Sequence, residues 1–221
     1  MAGNHTRRVN ILVEGQTEES FVNRLLVPHL ANFQVWLTPR IIRTSKGYKG
    51  GVVSYGKLKH QVRQWCQQDP TAHVTTLLDV YGLPTDFPGV TDWNANQPPQ
   101  TQVATLEANL LADIGQANLI PYLQLHEYEA LLFSELNAFS YADVPPRTIA
   151  NWQAQLAQFA GPEDVNNSPQ TAPSKRLIAH WPNYAHAKPH YGVLIASKIG
   201  LPAIRAACPR FNTWVTRLEN L

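Results

Sequence analysis

Arg8-Val9-Asn10-Ile11-Leu12-Val13-Glu14-Gly15-Gln16-Thr17-Glu18-Glu19-Ser20-Phe21 is the stretch on which the fold turns. Its first six residues form a nearly continuous apolar run, as in a strand covered on both faces of a parallel sheet. Glu14-Gly15 ends the run. Thr17 then offers an oxygen for a helix N-cap, and Glu18 and Glu19 suit the positive end of the helix dipole. Phe21, Leu25, Leu26, Leu30 and Phe33 follow along one apolar face, and Pro28 predicts a kink or break within it. Strand, tight turn and helix open a βαβ unit.

Working outward, further strands are expected at 35–42, at 73–78 running into Asp79, and at 119–125. Helices are expected over 55–68 and 101–114. Residues 81–99, rich in Pro, Gly, Asp and Asn, read as a long surface loop. Strands alternating with helices imply an α/β fold with a mostly parallel sheet flanked by helices. After about residue 140 the strand signal ends. Helical patterns at 148–159 and 204–218 enclose the Pro/Asn-rich stretch 161–173, so 1–139 reads as the α/β core. Residues 140–221 read as a C-terminal helical extension packed on that core.

The 221 residues carry a net charge of only +2, with 44% hydrophobic and 15% charged residues. That balance argues against disorder and against a polybasic coat on DNA. Cys66 and Cys208 stand far apart without CxxC spacing, so they offer neither a disulfide scaffold nor a zinc knuckle, and both read as packing residues. No apolar stretch approaches the ~18 residues of a membrane span, and the start lacks a signal-peptide core. The expectation is a soluble, cytoplasmic protein with no membrane partner.

Three strands end in acid: Glu14, Asp79, and His126-Glu127-Tyr128-Glu129. In open parallel sheets, ligand sites form at the carboxyl ends of strands, where the strand order reverses. Clustered carboxylates repel one another unless protonated or neutralised by a cation. Hard oxygen donors of this kind suit Mg²⁺ or Mn²⁺. Each acid taken singly also reads as a helix cap or a solubilising residue.

Val13-Glu14-Gly15-Gln16-Thr17-Glu18-Glu19-Ser20-Phe21-Val22 resembles the first motif of Toprim domains, where a glutamate follows the first strand and a glycine makes the turn. Four further stretches carry a resemblance to an uncharacterised bacterial Toprim-like family, often encoded beside an ATPase in anti-phage operons. They are Leu77-Leu78-Asp79-Val80-Tyr81-Gly82-Leu83-Pro84, the segment from His126 to Phe133, Thr171-Ala172-Pro173-Ser174-Lys175-Arg176-Leu177, and Cys208-Pro209-Arg210-Phe211-Asn212-Thr213-Trp214. The resemblance implies a Toprim/Rossmann-like fold. It implies a Mg²⁺- or Mn²⁺-dependent nuclease acting on DNA or RNA, with an ATPase partner. Glu14 matches the catalytic glutamate and Asp79 the first aspartate of the metal-binding Asp-x-Asp. Tyr81 stands where the second aspartate belongs, so Glu127, Glu129 or Asp86 would have to supply the missing ligand. A Toprim-shaped binding module without catalysis, or a nucleotide hydrolase, are the alternatives. A homodimer is compatible with the sequence.

His126 reads either as a hydrogen-bonded strand-end histidine or, turned into the crevice, as a proton donor to the leaving oxygen. Lys46 and Lys49 in the glycine-rich loop, Lys57, Lys59 and Arg63 on the next helix, and Lys175 and Arg176 are candidate phosphate contacts. Tyr48 and Tyr55 are candidates to stack on bases. His186 and His190 lie close in sequence but fit no zinc spacing.

Overall fold

The computed structural model describes residues 6–42, 54–94, 96–165 and 169–221. Strand β1 (Arg7–Val13) lies inside the sheet, between β2 (Val35–Ile41) and β3 (His73–Asp79). All three run parallel, with Val13 opposite Ile41 on one side and Leu77 on the other. The apolar run of β1 follows from this position. Val9, Ile11 and Val13 enter one core layer and Leu12 the other.

The expected fourth strand is two short ones, β4 (Leu119–Ile120) and β5 (Leu123–Gln124), both pairing with β3 in parallel. Pro121 has no N–H for the ladder. The Thr76 hydroxyl bridges the gap, accepting from the Tyr122 N–H at 2.9 Å and donating to the Tyr122 carbonyl at 2.7 Å. The order β2-β1-β3-β4 makes an α/β fold with a parallel sheet flanked by helices.

The first helix, α1 (Gln16–Phe21), starts one residue before Thr17. Its N-cap is Gly15, because the Glu18 carboxylate reaches back to the Gly15 N–H at 3.0 Å. Pro28 does not break the helix. The chain widens into a π-helical turn over Val22–Leu26, which relieves the proline ring, and continues as α2 (Val27–Ala31). On the opposite face of the sheet lie α3 (Tyr55–Gln68) and α4 (Pro99–Ile114), burying Leu58, Val62, Val103, Leu106 and Leu110.

The C-terminal part contains α5 (Pro146–Leu156), α6 (Pro173–His180), α7 (Lys188–Ile199), α8 (Leu201–Ala207) and α9 (Pro209–Glu219). The helical pattern at 204–218 is therefore two helices, parted at Cys208-Pro209. These helices share one core layer with β1 and α1. Phe139 packs on Trp152 with ring centroids 5.0 Å apart, and Trp214 stacks on Tyr122 at 4.3 Å.

Candidate active site

Helix α1 buries its apolar side in one core layer while α3 and α4 fill the other. Neighbouring strands β1 and β3 thus feed connections to opposite faces, and their carboxyl ends form the switch point of the sheet. Glu14 and Asp79 sit at those two ends. A Glu14 carboxylate oxygen accepts the Asp79 backbone N–H at 2.8 Å, and Asp79 Oδ1 accepts the Tyr128 N–H at 2.9 Å. Asp79 pairs in register with Gln124 of β5, which brings the segment 126–129 to the same rim.

Gly82 presses against Glu14, so that a Cβ there would stand 2.7 Å from its Oε1. The bare Cα lets the turn after β3 close over the carboxylate. Gly192 allows α7 a similar approach, since its Cβ would meet Thr17 and Tyr128 at 3.1 Å. The Tyr128 hydroxyl donates to the Gly192 carbonyl at 3.1 Å. This contact ties α7, which begins with Lys188, to the segment that carries Glu127 and Glu129.

Burial raises the Glu14 carboxyl to about 8, the Glu18 charge pushing the same way and Glu129 and Glu127 adding to it. The Asp79 N–H bond opposes this shift. Asp79 is held well above the carboxylate range, first by burial and then by Glu14, Glu18, Glu129 and Glu127. Burial also raises Glu18 and Glu127. These acids feel one another's charge across one crevice. Lys188 pairs with Glu129 at 3.0 Å. Burial works against its charge, but Glu129, Glu127 and Asp79 together raise its pKa.

Two of the acids are also engaged elsewhere. Glu127 accepts the Ser174 N–H at 2.8 Å and the Ser174 hydroxyl at 3.0 Å, and so caps α6. Glu129 accepts from Lys188 and from the Tyr184 hydroxyl. Among the described residues, no three His, Cys, Asp or Glu side chains are gathered as a ready-made direct coordination set. Every donor in the crevice is nonetheless a hard oxygen. That chemistry fits Mg²⁺ or Mn²⁺, and Mg²⁺ keeps several waters and needs only one or two carboxylates. Because the Glu129 side chain is only 6% exposed, Lys188→Met is expected to lower stability by about 2 kcal/mol in urea denaturation, leaving that carboxylate without its ammonium partner.

The other predicted residues fall elsewhere. His126 is buried in a left-handed backbone conformation, φ 69°. Burial lowers its pKa to about 4, and the groups acting against that shift are the Glu163 backbone and Asp164, not the crevice acids. Its ring tilts against Tyr81, 5.6 Å away. Tyr81, in the place of the second aspartate, has its phenol pushed up to about 12 by burial and by Glu127. Asp86 accepts the Tyr55 N–H at the start of α3. Tyr55 is buried with its hydroxyl on Asp113, so it offers no face for stacking. Lys59 pairs with Asp113, and Arg63 donates to the Ile114 carbonyl. Lys57 and Lys175 lie on exposed faces of α3 and α6. Arg176 donates to the Thr171 carbonyl and covers Phe159. Lys46, Tyr48 and Lys49 lie outside the described residues. His186 and His190 are both exposed, and burial pushes the Cys66 and Cys208 thiols up to about 11 and about 12, as packing residues.

Glu18, Gly82 and Lys188 belong to the crevice and were not legible in the sequence as site residues. The signal for Glu18 was its place three residues after Gly15, the reach-back position of a helix cap.

The sequence profile of a domain of unknown function, DUF4276, matches residues 13–219. The chain belongs to this family. The match starts at the last residue of β1 and ends at the last residue of α9, so every crevice acid and Lys188 lie inside the DUF4276 region. No curated protein matches the DUF4276 chain in sequence. Among solved structures, two of the C-terminal region of the Xanthomonas campestris pv. campestris OLD protein align with it. They are 13% and 14% identical, cover 97% of this chain and 98% of theirs, and give a TM-score of 0.39. No helix among the described residues is long and apolar enough to cross a membrane.

Proposed function

We propose that this DUF4276 protein is a Toprim-like nuclease that cleaves phosphodiester bonds of DNA or RNA with Mg²⁺ or Mn²⁺, alongside an ATPase partner in defence against phage or mobile DNA. The observation that carries the reading is the contact of the Glu14 carboxylate with the Asp79 backbone N–H across the sheet's switch point, in a crevice where Glu14, Asp79, Glu18, Glu127 and Glu129 face Lys188. Glu14 and Asp79 would hold the ion with its waters. When bound, it polarises the phosphodiester and offsets charge that develops on its oxygens. Glu14, at the end of β1 beside Asp79, would take the proton of an attacking water. Lys188 supplies a positive charge at the edge of the crevice.

The test incubates plasmid, transfer RNA and single-stranded oligonucleotides with each metal, with and without the ATPase. At least one polymer is expected to be cut in a metal-dependent way, and Asp79→Asn to slow the cut roughly 100-fold. No cutting under any condition, or a variant as fast as wild type, overturns the reading. One observation favours a second reading, a Toprim-shaped binding module without catalysis. Tyr81 replaces an aspartate, while Glu127 and Glu129 already serve Ser174 and Lys188.

A further inference from the structure

Away from the crevice, the face of β2 opposite its buried Val35 and Leu37 is only partly covered among the described residues, α3 reaching it at Trp65. Trp36, Thr38 and Arg40 line this face. Together with Arg8, Asn10 and Trp65 they border an open groove of about 600 Å³ between the sheet edge and α3. Trp36 is 65% exposed, a large indole standing in solvent on an edge strand. Arg8 stands beside it in register, and Asn10 beside Thr38.

The two arginines differ in charge balance. Arg8 is paired with Asp69 at 2.8 Å. Arg40 makes no ion pair among the described residues. Its guanidinium lies 4.4 Å over the Trp65 ring, and its Nε donates to the Asn10 side-chain oxygen at 3.2 Å. Those two contacts fix the orientation of the fork, and among the described residues both terminal nitrogens lack a carboxylate. A held, uncompensated guanidinium beside an exposed indole matches a ligand that repeats an anion and a flat ring. Arg40 stands four positions after Trp36 on the strand, roughly 13 Å away, a span that a chain of such units would bridge.

We propose that this groove binds an unpaired nucleic-acid strand, with a base stacked on Trp36 and a phosphate on Arg40. A duplex hides its base faces and is excluded from the stack. Neither contact reads the sugar, so DNA and RNA strands bind alike. A second copy of the chain docked on the same edge strand is the competing occupant, and the uncompensated charge of Arg40 disfavours it, because the same guanidinium would face its copy.

The test titrates the whole protein, in EDTA, with dT20, rU20 and a 20-base-pair duplex, following tryptophan quenching and the anisotropy of labelled strands. Expected are quenching by both single strands with affinities within about threefold, and weaker binding of the duplex. Trp36→Ala should weaken binding about tenfold, with Trp36→Phe recovering part of it. Arg40→Gln should lower the salt slope by about one. Because binding is read in EDTA, where no metal-dependent cleavage occurs, its outcome stands apart from whether the crevice cuts. Trp36 is exposed and Arg40 half-buried, and circular dichroism checks that the variants fold. Affinity within twofold of wild type in Trp36→Ala, duplex binding as tight as single strands, or a dimer in sedimentation that Trp36→Ala dissolves would overturn the proposal.

Discussion

Glu14→Gln is expected to make the protein more stable and the proposed nuclease inactive. The folded carboxyl sits near 8 against 4.5 when exposed. Between those values the folded state binds more protons than the unfolded one, so stability falls as pH rises through this window and levels off above about 8. Asp79, Glu18 and Glu127 are shifted the same way, and Lys188 meets the cluster through Glu129. The wild-type slope therefore sums several groups, and the difference from the variant reads Glu14 together with the repulsion it exerts on Asp79. Each pKa unit corresponds to about 1.4 kcal/mol. Glu14 is half-buried, and screening by solvent reduces the gain to about 2 kcal/mol.

Thermal scans should show no difference near pH 4 and a variant melting roughly 4–8 °C higher at pH 9. The amide keeps an oxygen for the Asp79 N–H, so the rim geometry survives. Cleavage should fall at least about 100-fold, since the proton acceptor is gone. Mg²⁺ at a hundred times its Kd would stabilise the wild type by about 2.7 kcal/mol and the variant by much less. A variant that melts no higher at pH 9 removes the argument that these charges are held together against their repulsion.

Trp214→Ala should be the most damaging single change. Trp214 is buried on α9, stacks on Tyr122, and donates its indole N–H to the Thr75 hydroxyl at 2.9 Å. Thr75 in turn donates to the Ile120 carbonyl at 2.6 Å. The last helix thereby holds β3 against the strand interrupted by Pro121. Emptying the site should cost about 3–5 kcal/mol, read as a melting point lower by roughly 10 °C. Trp214→Phe keeps the stack and loses one hydrogen bond, for about 1 kcal/mol. Unfolding should remain a single transition by fluorescence and circular dichroism, because the C-terminal helices share a core layer with β1 and α1. Two separated transitions would mean that residues 140–221 form an independent unit.

The parallel α/β core was legible in the pattern of residues alone. An apolar run such as 9–13 has to be covered on both faces, and the turn at Glu14-Gly15 leaves little room for anything but a strand–helix junction. The same pattern placed Glu14 and Asp79 at strand ends, since that depends only on where the apolar runs stop. The remainder came from packing between distant segments. Glu18 became part of the crevice because its side chain turns back to the Gly15 N–H, while the helix dipole alone would have left it at the surface. Lys188 came from 109 residues beyond Asp79, carried in by a close helix approach that Gly192 permits, a contact with no local signal. His126 turned toward 163–164 because its backbone adopts a left-handed conformation, and side-chain direction there follows from packing. Local propensity fixes where an element begins and ends; which charges then face one another is set by contacts between segments distant in the chain.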